Sequence, residues 1–530
     1  MSITSLTFLL FIICTVLIYY LVPKKVQWIV LLVSSLAFYI ASSTWGVLFV
    51  LLTSMTVYTS ALWMTKIRKI QKAYIKENKE SLTSEEKKSI KAKANKKRKN
   101  IMIATLLLNF GVLCVFKYSH FAVEQINNVV GLFGVTALNN DFNLLAVLGI
   151  SFYTFQSMGY VVDVYWETVD AQPNYFKTLL FVSFFPQITQ GPISDYEQLS
   201  SELFASHKFT YENFTRGFQR MTWGFFKKMV IADSLSPYVL DAFANYSQYT
   251  GITCFLAAFG YSVQIYADFS GYMDIMCGIC EILGIKLAEN FERPYFSKSI
   301  AEYWRRWHIT LGAWFKKYIY YPIGASKWNR TLGKKAGVKF GKFVGNNLPA
   351  SLALVAVWLV TGLWHGASWA YIAWGGVNGL FIIFSMWMEP VYAKTKSVLN
   401  IRESSFWWKV FQTVRTFVLV TFIKVLPEVG TLSDGIGFLK RIFTDHTLPG
   451  DFRELVPYCE RGMRLEFLFV IGCIVLLFIT SLLQRKKPIR DYLTSIPYPI
   501  RSIVFSVLWI SIFVVGICAG VSGGFLYENF

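Results

Sequence analysis

NLPASLALVAVWLVTGLWHGASWAYIAWGGVNGLFIIFSMWM, residues 347–388, reads as two apolar segments, each near the ~20 residues that a helix needs to cross hydrocarbon. Trp364-His365-Gly366 stands at their junction, with Trp358, Trp369 and Trp374 on either side. An ionisable side chain at membrane depth is costly and marks a functional site by default. Histidine is also the side chain that takes up and releases a proton near neutral pH. A histidine so placed points either to chemistry or to a proton path. The apolar pattern recurs along the chain: of 530 residues, 54% are hydrophobic, 17% aromatic and only 16% charged, where soluble domains carry about 25% charge. The fold class that follows is an all-α polytopic membrane protein.

Apolar runs at 4–22, 27–43, 46–64, 101–117, 144–162, 347–364, 369–388, 408–427, 466–484 and 500–520 give the firm spans. The net charge of +20 is concentrated: Lys66 to Lys99 holds 14 basic and 4 acidic residues, and Lys286 to Lys342 holds 13 and 3. Basic loops beside spans stay on the cytoplasmic side and attract anionic headgroups. The charge therefore speaks for topology, not for nucleic acid. Alternating spans from a cytoplasmic Lys66–Lys99 places Lys24, Lys25, Lys394, Arg402 and Arg485-Lys486-Lys487 on the same side. Between 163 and 346, parity requires an even number of crossings, for about 10 or 12 in all.

Three pieces of that interval are unusual. Residues 176–192, broken by Pro186, Gly191 and Pro192, predict a re-entrant or tilted element. Residues 216–231 mix Arg216, Arg220, Lys227 and Lys228 with Phe218, Trp223 and Phe225, the pattern of an amphipathic interfacial helix. Residues 251–285 fit one long helix or a hairpin. On that segment Asp274 and Glu281 are seven apart and share a face. Buried carboxylates need partners, and Arg305 or Arg306 are the expected ones for Asp268, Asp274 and Glu281. His308 follows in a basic, aromatic segment, Trp304-Arg305-Arg306-Trp307-His308. The charge map puts it on the cytoplasmic side, with His365 outward of it or deep in the membrane.

Other motifs fail on context. Cys277 and Cys280 match C-x-x-C, but on an apolar segment without a second pair. Gly520-Val521-Ser522-Gly523-Gly524 matches a nucleophile elbow, which needs an α/β fold. His446 and Asp451 have a lipid-acyltransferase spacing without the neighbouring motifs. No metal is implied.

The segments GISFYTFQSMGYVVDVY (149–165), FFPQITQGPI (184–193), YADFSGYMDI (266–275), LAENFERPYFSKSIAEYWRRWHITLGAWFKKYIYYPIG (287–324) and GLWHGASWAYIAWGGVNG (362–379) together resemble the membrane-bound O-acyltransferase superfamily. They are most similar to its bacterial branch of alginate O-acetyltransferases. The resemblance runs over most of residues 1 to 390. It implies a fold of about 10–12 transmembrane helices with re-entrant and interfacial helices around a central tunnel. A single domain would then span 1–530, with a charged cytoplasmic insertion at 66–100, a catalytic core at 144–390 and C-terminal helices at 408–520. The family's Trp-His-Gly histidine maps to His365, and its second histidine, after the paired arginines and Trp, to His308. Trp304, Arg305, Arg306, Trp364 and Asn378 become donor- or tunnel-lining candidates. Two departures stand out: the length and charge of Lys66–Lys99, and Thr421-Phe422-Ile423-Lys424 where an aromatic–arginine pair is usual.

The resemblance implies transfer of an acyl group, most simply acetyl, to a hydroxyl of an exported polysaccharide, in the bacterial cell membrane. His365 would be the base, with Trp N–H groups and Asn378 as oxyanion donors. Arg305, Arg306, Lys316 and Lys317 would hold donor phosphates. The donor, acetyl-CoA or an acylated carrier, enters as substrate, with no tightly bound cofactor. Expected partners are the membrane, the polysaccharide acceptor, and an extracytoplasmic acetyltransferase- or esterase-like protein or an acyl carrier. Three rivals remain: D-alanyl transfer to teichoic acid from a carrier protein, a proton-coupled transporter, and a scaffold without chemistry of its own. A transporter predicts repeated halves, and the sequence has none.

Overall fold

Backbone amides in hydrocarbon must be satisfied within their own segment, and the computed structural model is built of helices accordingly. It describes residues 1–134, 138–140, 147–448, 464–518 and 525. Among these the β structure is a single bridge, Phe291 to Trp307. Among the described residues, seven helices are long and apolar enough to cross a membrane, with two shorter apolar ones, Leu6–Leu21 and Phe467–Leu483. Large apolar side chains such as Leu10, Leu17, Val33, Leu107 and Phe384 are exposed, as expected of lipid-facing surface. The chain is a multi-pass membrane protein. Asp451 and the Gly520–Gly524 motif lie outside the described residues.

The chain folds as two compact units. The first holds Met1–Gly217 with Ile279–Ala288, the second Phe218–Gly278 with Glu289–Asn529.

In the first unit, the basic insertion is a helical hairpin. Helix Val47–Glu77 has 31 residues and Ser84–Gly131 has 48, about 46 and 72 Å at 1.5 Å per residue. Both exceed the hydrocarbon, so their charged ends extend beyond it. The second helix starts at a capping box, Thr83 with Glu86, which satisfies two otherwise orphaned amides. It also runs past residue 117, where the expected span ends, to Gly131. Arg98 ties this helix to the next. Its side chain is buried and donates to the Val164 and Tyr165 carbonyls at 3.3 and 2.7 Å. It also pairs with Glu167 at 2.6 Å. It therefore closes the C-terminus of Ile150–Trp166, where carbonyls lack helical partners. That helix was expected as a span from 144. It begins at Ile150 and is buried on nearly every side, as a helix apolar all round must be. The 176–192 element is a broken helix, Tyr175–Ser183 followed by Phe185–Ile188, and is buried throughout its latter part.

In the second unit, the latter part of the expected 216–231 helix is buried. Tyr211–Phe225 continues into a π-helical turn, Phe226–Ala232, whose seven residues are all buried. Gly251–Ile282 is one continuous helix, not a hairpin. The two meet at glycines: a Cβ on Gly224 would lie 2.6 Å from the Gly271 carbonyl oxygen. That approach lets lysines reach buried carboxylates. Lys228 pairs with Asp233 at 2.8 Å and Asp268 at 2.7 Å. Lys227 and Arg220 both pair with Asp274, at 2.7 and 2.9 Å. The carboxylates thus take their partners from this turn and from the helix that leads into it, not from Arg305 or Arg306. Glu281, in the first unit, pairs with Arg216 at 3.6 Å. Sequence spacing showed that the acids share a face but not which cation the π turn would aim at them.

Removing one member of a buried ion pair strands the others and costs about 3–5 kcal/mol. Lys228→Met is therefore expected to lower stability by that order, measured by thermal unfolding in detergent. A midpoint equal to wild type would mean the Asp233–Lys228–Asp268 group does not hold the unit together.

Candidate functional site

Helix Lys342–His365 turns into Trp369–Trp387 through a connection too short for large side chains at the crossing. A Cβ on Gly375 would sit 2.4 Å from the Trp358 carbonyl oxygen and 2.9 Å from Gly362 Cα. The two backbones therefore touch, the close approach that small residues permit between membrane helices. Ser368 caps the second helix by accepting from the Tyr371 N–H.

His365 is the last residue of its helix and 3% exposed. Its Nδ1 lies 2.7 Å from the Thr361 carbonyl oxygen. A carbonyl only accepts, so Nδ1 carries the hydrogen and the ring lone pair stands on Nε2. Last-turn histidines bond helix carbonyls in this way. The imidazole is fixed between Trp364 and Trp374, with ring centroids 4.9 and 4.7 Å away.

His308 comes to the same place by another route. Short helices Ile300–Arg306 and Ile309–Phe315 flank it. The segment 290–292 pins it from the side, through Glu292 N to Arg306 O at 2.9 Å and Ile309 N to Asn290 O at 3.1 Å. His308 takes φ 50°, ψ 52°, a left-handed conformation that costs a non-glycine residue about 1–2 kcal/mol. It is 1% exposed. Its ring lies 5.9 Å from Trp364 and 4.9 Å from Phe269. The expected separation in depth between the two histidines thus reduces to one indole. Burial, and next the neighbouring His365, hold the His308 imidazole well below the ordinary value of 6.5.

Of the other candidates, Trp304, Trp364 and Asn378 join this group. Trp304 packs on Trp358 and Trp374 at 4.9 and 5.5 Å. Its Nε1–H donates to Asn378 Oδ1 at 3.0 Å, and Asn378 Nδ2 donates to the Trp374 carbonyl at 2.9 Å. That use of Asn378 and of the Trp304 N–H makes them a brace for the tryptophans. Arg305 is exposed, and Arg306 forms an ion pair with Glu302 at 2.7 Å.

Lys424, which the sequence marks only as a departure from the family pattern, belongs to this region. Its ammonium is buried, 3.6 Å from the Trp307 ring centroid, and donates to the Tyr295 hydroxyl at 2.8 Å. It underlies the residue that precedes His308. A lone lysine in an apolar run was the available signal. Two cavities, of about 420 and 520 Å³, lie nearby and share Tyr266, Arg293, Leu477 and Ser481. The larger is lined by Asn290 and Phe291, part of the segment that pins His308.

The sequence profile of the membrane-bound O-acyltransferase family matches residues 167–335, which include His308 and stop short of His365. The chain is 36% identical over 277 residues to a probable alginate O-acetylase of Azotobacter vinelandii, covering 52% of each chain. It is 31% identical over 305 residues to a peptidoglycan O-acetyltransferase of Helicobacter pylori, covering 53% of this chain and 54% of that one. A teichoic acid D-alanyltransferase of Bacillus subtilis is 28% identical over 282 residues, 53% of this chain and 68% of that one. The chain spans about half the length of the first two relatives. Two histidines converge on Trp364 inside a polytopic helical protein, and over residues 167–335, through the His308 segment, the chain is similar to the membrane-bound O-acyltransferase family.

Proposed function

We propose that this protein moves an acyl group, most simply acetyl, from a cytoplasmic-side donor to a hydroxyl of an exported polysaccharide. The observation that carries the reading is the Nδ1 bond from His365 to Thr361, which leaves Nε2 as a proton acceptor inside a tryptophan cage. A sugar hydroxyl is a weak nucleophile at neutral pH and needs such a base. Its oxygen attacks the acyl carbonyl carbon, and its proton passes to Nε2. The tetrahedral intermediate then collapses, breaking the bond to the donor, and the proton leaves with the departing group. The conjugate acid of His365 would lie between the rings of Trp364 and Trp374. His308 stays neutral beside it, which keeps a second positive charge out of the cage. Arg305 and Lys316, exposed in the basic segment, are suited to the phosphates of acetyl-CoA or of an acylated carrier. An extracytoplasmic acetyltransferase- or esterase-like protein is the partner that would pass the group on.

A second reading, D-alanyl transfer from a carrier protein, is favoured by the Bacillus subtilis relative, of which this chain covers 68%. Reconstituted protein offered acetyl and D-alanyl donors in parallel separates the two.

His365→Ala is expected to lower acyl transfer by about 10²–10⁴-fold while donor KM stays near wild type. Transfer at the wild-type rate in a folded variant would remove the base from this reading. His308 gives a second expectation, with the sign set by its depressed value. The unfolded chain takes a proton there as pH falls through 6.5 and the folded chain does not. Stability is full above that value and declines below it. The thermal midpoint should drop between about pH 7.5 and pH 5, and less so in His308→Gln. Equal drops in the two proteins would assign the effect to other groups.

A further inference from the structure

The 420 Å³ cavity takes no part in the reaction described above, and its lining says what would fill it. Phe259 and Val263 come from helix Gly251–Ile282, Val414 and Phe417 from Phe406–Val425, and Val475 and Phe478 from Arg464–Leu483. Its volume falls within the ordinary range of small-molecule sites. The rim residues Phe259, Val414, Val475 and Phe478 are exposed, at 40%, 56%, 50% and 54%. Gly251–Ile282 is long and apolar enough to cross a membrane, Phe467–Leu483 is a shorter apolar helix, and Phe406–Val425 has 20 residues, so the mouth opens sideways onto hydrocarbon, not onto water.

One end of this apolar slot is cationic. Arg293 lines it, held at φ 50°, with its guanidinium 5.0 Å from the Phe296 ring. Its Nε is buried and has no hydrogen-bond partner among the described residues. Burial, then Arg306 and Arg485, press its charge below the usual arginine range, against a smaller opposing effect from Glu292. Arg306 already has Glu302. An anion placed here would meet an unsatisfied donor and relieve the repulsion among three guanidinium groups.

Depth decides the kind of anion. Arg485 follows the end of helix Arg464–Leu483, on the cytoplasmic side by the charge map. Ile474, which lines the far part of the slot, lies eleven residues earlier, about 16 Å along the axis. That is about half of a ~30 Å hydrocarbon core, the depth of one leaflet. A charge at headgroup level above an apolar slot one leaflet deep matches a membrane lipid. We infer that this cavity binds a phospholipid of the cytoplasmic leaflet, with an acyl chain between Phe259, Phe417 and Phe478 and an anionic phosphate headgroup on Arg293 and Arg485. Its inner wall includes Tyr295, which packs on Trp307 at 6.1 Å. The bound lipid would therefore buttress the segment that carries His308. The inference stands on the cavity and does not depend on the reaction proposed above.

The test uses the full chain purified in mild detergent, with retained lipid read by native mass spectrometry after exchange with phosphatidylglycerol or phosphatidylcholine. Wild type should keep phosphatidylglycerol preferentially. Arg293→Gln should reduce that preference by about five- to tenfold, Arg293→Lys should largely preserve it, and Val475→Trp, which fills the slot, should release the lipid whatever its headgroup. Equal retention of both lipids by wild type, or an unchanged preference in Arg293→Gln, would overturn the proposal. So would thermal protection by inorganic phosphate equal to that by phosphatidylglycerol, since the slot would then contribute nothing. If Arg293→Gln does not fold, retention by Val475→Trp decides: lipid kept as in wild type sinks the inference, and lipid lost supports it.

Discussion

Two helix backbones touch at Gly362 and Gly375, and the arrangement around His365 follows from that contact. Helices separated by ordinary side chains pack 8–10 Å apart. With hydrogen in place of a side chain at the crossing, Trp358, Trp364 and Trp374 are drawn into one cluster, and Trp304 closes it from another segment. The hydrogen bonds of Asn378 to Trp304 and Trp374 then fix the indoles against each other. Aromatic groups in edge-to-face contact exclude water without adding charge. The histidine among them is buried, oriented and limited to one tautomer by its bond to the Thr361 carbonyl.

The second unit carries an unusual load of buried charge. Lys227, Lys228, Asp233, Asp268 and Lys424 are all nearly inaccessible. Each would be expensive alone, and each is met by an opposite charge, a hydroxyl or an aromatic face. The π turn at Phe226–Ala232 makes this possible. An inserted residue in a helix rotates the side chains that follow, and here it brings consecutive lysines to face different aspartates. Such turns gather at functional sites, and this one borders the larger cavity through Lys227.

Much of this was legible in the amino-acid order because hydrocarbon imposes strict rules. Apolar runs, basic loops and the broken 176–192 segment all read directly as structure. The site was legible as residue types: His365, His308, Trp304, Trp364 and Asn378 do assemble. What the order of residues does not carry is long-range aim. One partner of Asp274, Lys227, sits in a π turn that no periodicity announces. Residues 216–231 look amphipathic, yet their lysines point inward because carboxylates await them there. The two histidines seemed to belong to different depths because a charge map assigns loops to sides. It takes no account of a loop that folds back along the 290–292 segment. Lys424 was visible only as an oddity, since its meaning comes from Trp307, 117 positions away in the chain.

The backbone at His308 has one more implication. Its positive φ is a conformation that glycine adopts without penalty and asparagine with little. Selection for folding alone would favour those residues there. An imidazole in that position is a standing backbone expense to the folded state, offset by the packing of its ring against Trp364 and Phe269. Glycine there would relieve the backbone and empty the space between those rings, so the position sets conformational ease against a filled interior.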